Sequence, residues 1–227
     1  MLLMYTSPDL LSSSITDVGS GVRLFSIHTE YFYTAERVYH PVAGTHDTCV
    51  RRHRTFMTDI HQRQVAEILW AGRVPLSMCI HGETLESVTT LFNGCDSITV
   101  MPSELRVPTR IGAVWVATRR SLELRCSTSG DLRSAFHLNS VQVGHRLHPA
   151  TIPGTGSHFL EIHELHPAYM VEMIVSCLVM DILRRNIFDI SPHDFDQHLG
   201  PCRQSDPTSR SLIARLAGPS RAWRATA

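Results

Sequence analysis

The run AYMVEMIVSCLVMDIL, from Ala168 to Leu183, constrains the fold more than any other segment. As a helix it places apolar side chains on almost every side, so it must be covered all round. Pro167 stands directly before it, and proline is well tolerated in a first turn, so the predicted helix runs from Pro167 to about Phe188. A membrane-spanning helix needs about 20 mostly apolar residues. This run is shorter and carries Glu172 and Asp181, which predicts a buried core helix and no transmembrane segment. Hydrophobic residues make up 43% of the 227-residue chain, enough for one sizeable core.

A second main helix is predicted over residues 58–71, TDIHQRQVAEILWA. Thr58 can cap it, Asp59 suits its positive end, and Gly72 suits its stop. Ile60, Val65, Ile68 and Leu69 fall near one face at helical spacing. Strands are predicted over 23–40, 74–80, 88–92, 97–101, 111–117, 120–126, 140–143 and 158–162, where β-branched and aromatic residues collect or alternate with polar ones. Residues 144–157 read as a Gly- and Pro-rich loop. The resulting expectation is an α+β fold, a single domain with a mixed or antiparallel sheet packed on two main helices. Residues 23–199 would form the core, 1–22 a flexible arm, and 200–227 a disordered tail containing arginine.

The chain balances 21 Asp and Glu against 21 cations, every one of them arginine. Zero net charge removes a global attraction to nucleic acid or membrane, although arginine suits bidentate contacts to phosphate. The cysteines are Cys49, Cys79, Cys95, Cys126, Cys177 and Cys202, widely spread and with no C-x-x-C pair. They read as reduced, mostly buried thiols of a cytoplasmic or nuclear protein. The amino-terminal MLLMYTSPDLLSSS lacks the positive region and long apolar core of a secretion signal, so the protein is expected not to be secreted.

Three groups of residues invite a chemical reading. His158, His163, Glu164 and His166, in HFLEIHELHP, are the densest set of metal-ligand types, but their spacing departs from H-E-x-x-H. They would carry the alternative of a metal-dependent enzyme. His193, Asp194, Asp196 and His198 read instead as a helix start behind Ser191 and Pro192. Arg51, Arg52, His53 and Arg54 form the most basic run and suit a phosphate or an RNA backbone, the alternative of an RNA-binding accessory protein. That run has no flanking aromatic platforms in regular spacing. The sequence contains no G-x-S-x-G, no P-loop and no cofactor motif, and PGTGS at 153–157 is too short to signal phosphate binding.

Two stretches carry a family resemblance. LFSIHTEYFYT is followed by the predicted helix DIHQRQVAEILW, and PSELRVPTRIGAVWVATRRSLELRC, Pro102–Cys126, has a polar-basic lead, an apolar strand and an alternating strand. Their order, over about residues 24–126, resembles the core of rhabdovirus matrix proteins. The resemblance implies an α+β fold without enzymatic activity and without a cofactor. It implies a viral structural protein of the virion and host cytoplasm, peripheral on membranes. Such a protein self-associates and links ribonucleoprotein to an anionic membrane surface during assembly. This chain departs from the pattern in lacking a basic amino-terminal arm and a P-P-x-Y motif. Arg51, Arg52, Arg54, Arg119 and Arg120 would then supply the nucleic-acid or lipid contacts, helped by Arg106, Arg110 and the tail. The leading expectation is a non-enzymatic structural or adaptor protein.

Overall fold

Two-residue alternation, rather than helical periodicity, governs most of the chain. The computed structural model describes residues 1–40, 44–93, 99–101, 103–152, 154–164, 166–188 and 190. Its strands are β1 (Leu2–Tyr5), β2 (Ser13–Asp17), β3 (Arg23–His40), β4 (Gly44–Asp59), β5 (Gln64–Ala71), β6 (Val74–Ile80), β7 (Glu83–Leu85), β8 (Thr99–Val100), β9 (Glu104–Pro108), β10 (Ala113–Thr118), β11 (Leu122–Cys126), β12 (Leu132–Val143), β13 (Arg146–Pro149) and β14 (Ser157–Ile162). The helices are α1 (Val88–Leu91) and α2 (Met170–Ile187), the latter entered through a 3-10 turn, Pro167–Tyr169. Among the described residues the fourteen strands form one sheet with every pairing antiparallel, in the order β7-β6-β5-β4-β3-β2-β1-β14-β12-β11-β10-β9-β8, with β13 paired to β12 off that path.

This overturns the expected α+β fold on two main helices: one long helix lies against one large antiparallel sheet. The segment 58–71 is the end of β4, a turn, and β5. Asp59 does not cap a helix. Its Oδ1 accepts hydrogen bonds from the backbone N–H groups of His61 (2.8 Å) and Arg63 (3.0 Å), and Gln62 takes a φ of 60°. That is an Asx-closed hairpin turn, the other use of an Asp at such a place. In β5, Ala66, Ile68 and Trp70 are buried while Val65, Glu67 and Leu69 are half-buried, the period of a strand with one core face. Apolar positions at 65, 68 and 69 satisfied the helical template, but Ile60 is exposed and belongs to the turn.

Residues 1–22, expected as a flexible arm, hold β1 and β2 near the middle of the sheet. Leu3, Tyr5, Leu10, Leu11 and Ile15 are buried there, and the terminal ammonium donates to the carbonyl of Ile162 at 2.8 Å. Residues 88–92, expected as a strand, contain the single turn α1, whose amino end is capped by the Ser87 hydroxyl accepting from the N–H of Thr89. The expected loop 144–157 holds β13. The expected disordered tail, 200–227, lies outside the described residues, as do Cys95 and Cys202. Of the remaining cysteines only Cys177 is buried; Cys49 is exposed, and Cys79 and Cys126 lie between.

The predicted central helix is present, and every residue from Val171 to Arg184 is buried. Both halves of the sheet reach it. From β10 the Trp115 indole N–H donates to Ser176 Oγ at 3.0 Å. From the β5–β6 turn Arg73 donates to Asn186 Oδ1 at 2.8 Å. Tyr5 of β1 lies close enough to Cys177 and Asp181 that, beyond burial itself, both push its hydroxyl pKa upward. The sheet therefore curls round α2. Asp181, with no exposure, is answered within the helix by Arg184 and Arg185, both at 2.7 Å.

Arg110, in the β9–β10 turn, ties the curl together near its ends. Its guanidinium donates to both carboxylate oxygens of Glu83 on β7 (2.7 and 2.9 Å) and to both of Glu172 on α2 (2.9 and 3.0 Å). Glu172 is almost fully enclosed, whereas Glu83 is largely in solvent. Removing the cation leaves a buried carboxylate unanswered. Arg110→Met should cost about 2–3 kcal/mol in urea unfolding, reduced from the fully buried case because Arg110 is partly exposed. Glu83→Gln should cost far less. Equal losses for the two variants would contradict a seam centred on Glu172.

Candidate functional site

The long hairpin β3–β4 outruns its neighbours. β2 pairs with β3 only as far as Ile27, and β5 pairs with β4 only from His53. β3 and β4 pair through Glu30↔Arg54, Tyr31↔His53, Phe32↔Arg52 and Tyr33↔Arg51, and from Arg52 on β4 has no β5 partner. Cross-strand partners share a face and neighbours in a strand alternate. Tyr31, Tyr33, Arg51 and His53 thus occupy one face, and Phe32, Arg52, Arg54 and Phe56 the other.

The basic run is therefore interleaved with aromatics after all, supplied by the facing strand. The Arg51 guanidinium lies 4.2 Å from the ring centre of Tyr31. That of Arg54 lies 5.4 Å from Phe32 and 5.9 Å from Phe56, and its Nε is 3.0 Å from Glu67. These are cation–π distances. Tyr33 is 69% exposed. Tyr31, Phe32 and Tyr33 were missed as site residues because the run EYFYT and the run RRHR are neighbours only once the hairpin closes.

The root of this ribbon is built into the core. His53 is buried between Tyr31 (5.5 Å) and Trp70 (6.0 Å, stacked). The Trp70 indole donates to Thr55 Oγ1 at 2.9 Å, and Thr55 in turn meets Thr29 at 2.8 Å. Burial first, and then the Arg51 charge, lowers the His53 pKa to about 4. The unfolded chain takes up this proton near pH ~6.5. Stability from His53 is thus fully present above pH ~6.5 and is lost as pH falls from there through 4. Urea titrations should find up to about 3 kcal/mol lost across that window, and His53→Phe should flatten the slope. An unchanged slope in that variant would contradict a neutral, buried imidazole.

Arg119 and Arg120 sit on the tight β10–β11 turn, held by Thr118, whose Oγ1 accepts from the N–H groups of Arg120 (3.1 Å) and Ser121 (2.9 Å). This turn shares a groove with Ile187 and Phe188, at the carboxyl end of α2. The β5–β6 turn meets the same end of α2 through Arg73 and Asn186, and β5 and β4 pair there at Trp70 and His53. The ribbon arginines and the turn arginines thus lie at one end of the curled sheet.

The proposed metal set does not converge. His158 points inward from β14 and is buried, with Nδ1 accepting from the Asn139 N–H at 3.0 Å. Burial, then Arg185, lowers its pKa. His163 and Glu164 are exposed, with His163 3.9 Å from Glu161, and His166 caps the 3-10 turn by accepting from the N–H of Ala168. His158 is held in the core by β14, and the other three lie in the exposed connection between β14 and the helix. Among the described residues no group of three His, Cys, Asp or Glu side chains is placed to hold a metal ion. The cluster at 193–198 lies outside the described residues. In PGTGS, Gly154 and Gly156 donate to Asn139 Oδ1, and a Cβ on Gly156 would stand 2.6 Å from the backbone of Asn139 and Ser140. Close packing, not phosphate binding, explains that glycine.

Comparison with known protein families, curated proteins and solved structures gives no match.

Proposed function

We propose that the protein is a non-enzymatic adaptor that docks on an anionic membrane surface through the arginine–aromatic ribbon of β3 and β4. The observation carrying this reading is the interleaving of Arg51, Arg52 and Arg54 with Tyr31, Phe32 and Tyr33 on a hairpin that outruns its flanking strands from Arg52 on, with Arg54 at its root beside β5. Arginine answers lipid phosphates with paired donors, and tyrosine suits the boundary between water and acyl chains. No helix among the described residues is long and apolar enough to cross a membrane, so the contact proposed is peripheral. A cytoplasmic or nuclear location fits this role. A viral matrix-like part, with self-association and a second contact to ribonucleoprotein, is the specific form of adaptor that the sequence resemblance suggests.

The test is flotation on vesicles of phosphatidylcholine with and without phosphatidylserine. Each basic residue near such a surface contributes about 1 kcal/mol, so Arg51→Ala, Arg52→Ala and Arg54→Ala together should weaken binding about a hundredfold. Added salt should weaken wild-type binding, since the screening length is ~8 Å at physiological strength. Undiminished flotation of the triple variant, or binding to an RNA oligonucleotide in preference to vesicles, overturns the proposal.

A further inference from the structure

The groove at the carboxyl end of α2 joins a pair of cations and an apolar wall. It measures about 720 Å³ and is lined by Ser103, Glu104, Thr118, Arg119, Arg120, Ile187 and Phe188. That size admits a ligand of small-molecule dimensions. Arg119 and Arg120 are exposed at its rim, and among the described residues neither has an acidic partner. Among the described lining residues the one carboxylate, Glu104, is already engaged by Arg106. The apolar part of the lining is Ile187 and Phe188, half-buried and packed on the core. The carboxyl end of α2 is the negative end of its dipole, so the attraction for an anion in this groove has to come from Arg119 and Arg120.

We propose that this groove takes the headgroup and upper acyl chain of one anionic phospholipid. Arg119 and Arg120 hold its phosphate, and Ile187 and Phe188 cover its first methylenes. A soluble anion would leave the apolar wall in water, and a neutral amphiphile would leave two neighbouring cations without a counter-charge. The inference rests on the membrane reading above, because the groove opens at the same end as the arginine ribbon, so a lipid drawn from the bilayer can reach it. It adds a discrete site for one lipid to a diffuse electrostatic contact.

The test uses the full chain and monomeric dihexanoyl-phosphatidylserine, with glycerophosphoserine, inorganic phosphate and dihexanoyl-phosphatidylcholine as comparisons. Titration calorimetry, with amide shifts followed at Arg119–Ser121 and Ile187–Phe188, should show saturable binding of the anionic lipid. The chainless anions and the neutral lipid should each bind about tenfold more weakly or worse. Arg119→Ala with Arg120→Ala, exposed turn positions whose loss leaves the core intact, should abolish saturation while the ribbon still floats on vesicles. Equal binding of phosphate and lipid, no saturable lipid binding, or lipid binding unaffected by the double variant overturns the lipid site. If flotation survives those failures, the membrane reading stands without it. If short-chain lipid binds but the ribbon variant floats normally, the ribbon reading falls instead.

Discussion

Everything in this molecule follows from a helix with no side to leave in water. With Val171 to Arg184 buried without interruption, α2 can be satisfied neither by one partner helix nor by a flat sheet, each of which covers a single stripe. A long antiparallel sheet that curls covers every side, and sheet twist makes curling natural. The consequence is a core that is shared: Leu3 and Tyr5 of the first strand, Trp70 of the fifth and Trp115 of the tenth pack into one cluster with the helix. That is also why the amino terminus cannot be loose. Its strands β1 and β2 fill the middle of the sheet, so freeing them would open the wrap at its centre.

The polar groups on α2 settle how the helix sits inside. Ser176 accepts from Trp115, Glu172 meets Arg110, Asn186 accepts from Arg73, and Asp181 is held by Arg184 and Arg185. Apolar side chains on all sides would pack acceptably at several rotations, whereas the contacts to the sheet are made together at one. Buried ion pairs add little net stability, yet leaving one unmatched is expensive, so they discriminate against wrong registers. Arg110 serves the same end at the sheet's margin, joining Glu83 of the edge strand β7 to Glu172 of α2.

The part of the fold legible in the sequence was the part whose pattern admits one reading. Continuous apolar character from Ala168 onward means a covered helix under any topology, and the alternation of Leu122 and Leu124 with Glu123 means a half-buried strand. Residues 58–71 satisfy two periods at once, and only the hydrogen bonds of Asp59 and the left-handed Gln62 decide between them. The candidate site divides the same way. The arginine run is contiguous and visible, while its aromatic partners lie on the other strand and become neighbours through register. The histidine-rich stretch divides for the converse reason: β14 sends His158 into the core, while His163, Glu164 and His166 lie exposed past its end, so closeness in the chain became separation in space.

Zero net charge had seemed to argue against an anionic partner, but a sum says nothing about how charge is spent. Much of the acid content is held locally, by Asp59 with Arg63, Glu67 with Arg54, Glu104 with Arg106, Glu123 with Arg125, and Glu83 and Glu172 with Arg110. Each such pair is electrically silent beyond roughly a screening length of ~8 Å. Among the described residues Arg51, Arg119 and Arg120 have no acid beside them, and all three stand at the end of the sheet where α2 emerges. A neutral protein can in this way present a positive end. Because the ribbon's root is stacked on Trp70 and the β10–β11 turn is pinned by Thr118, that end is anchored to the core, and groups so anchored lose less freedom on meeting any partner.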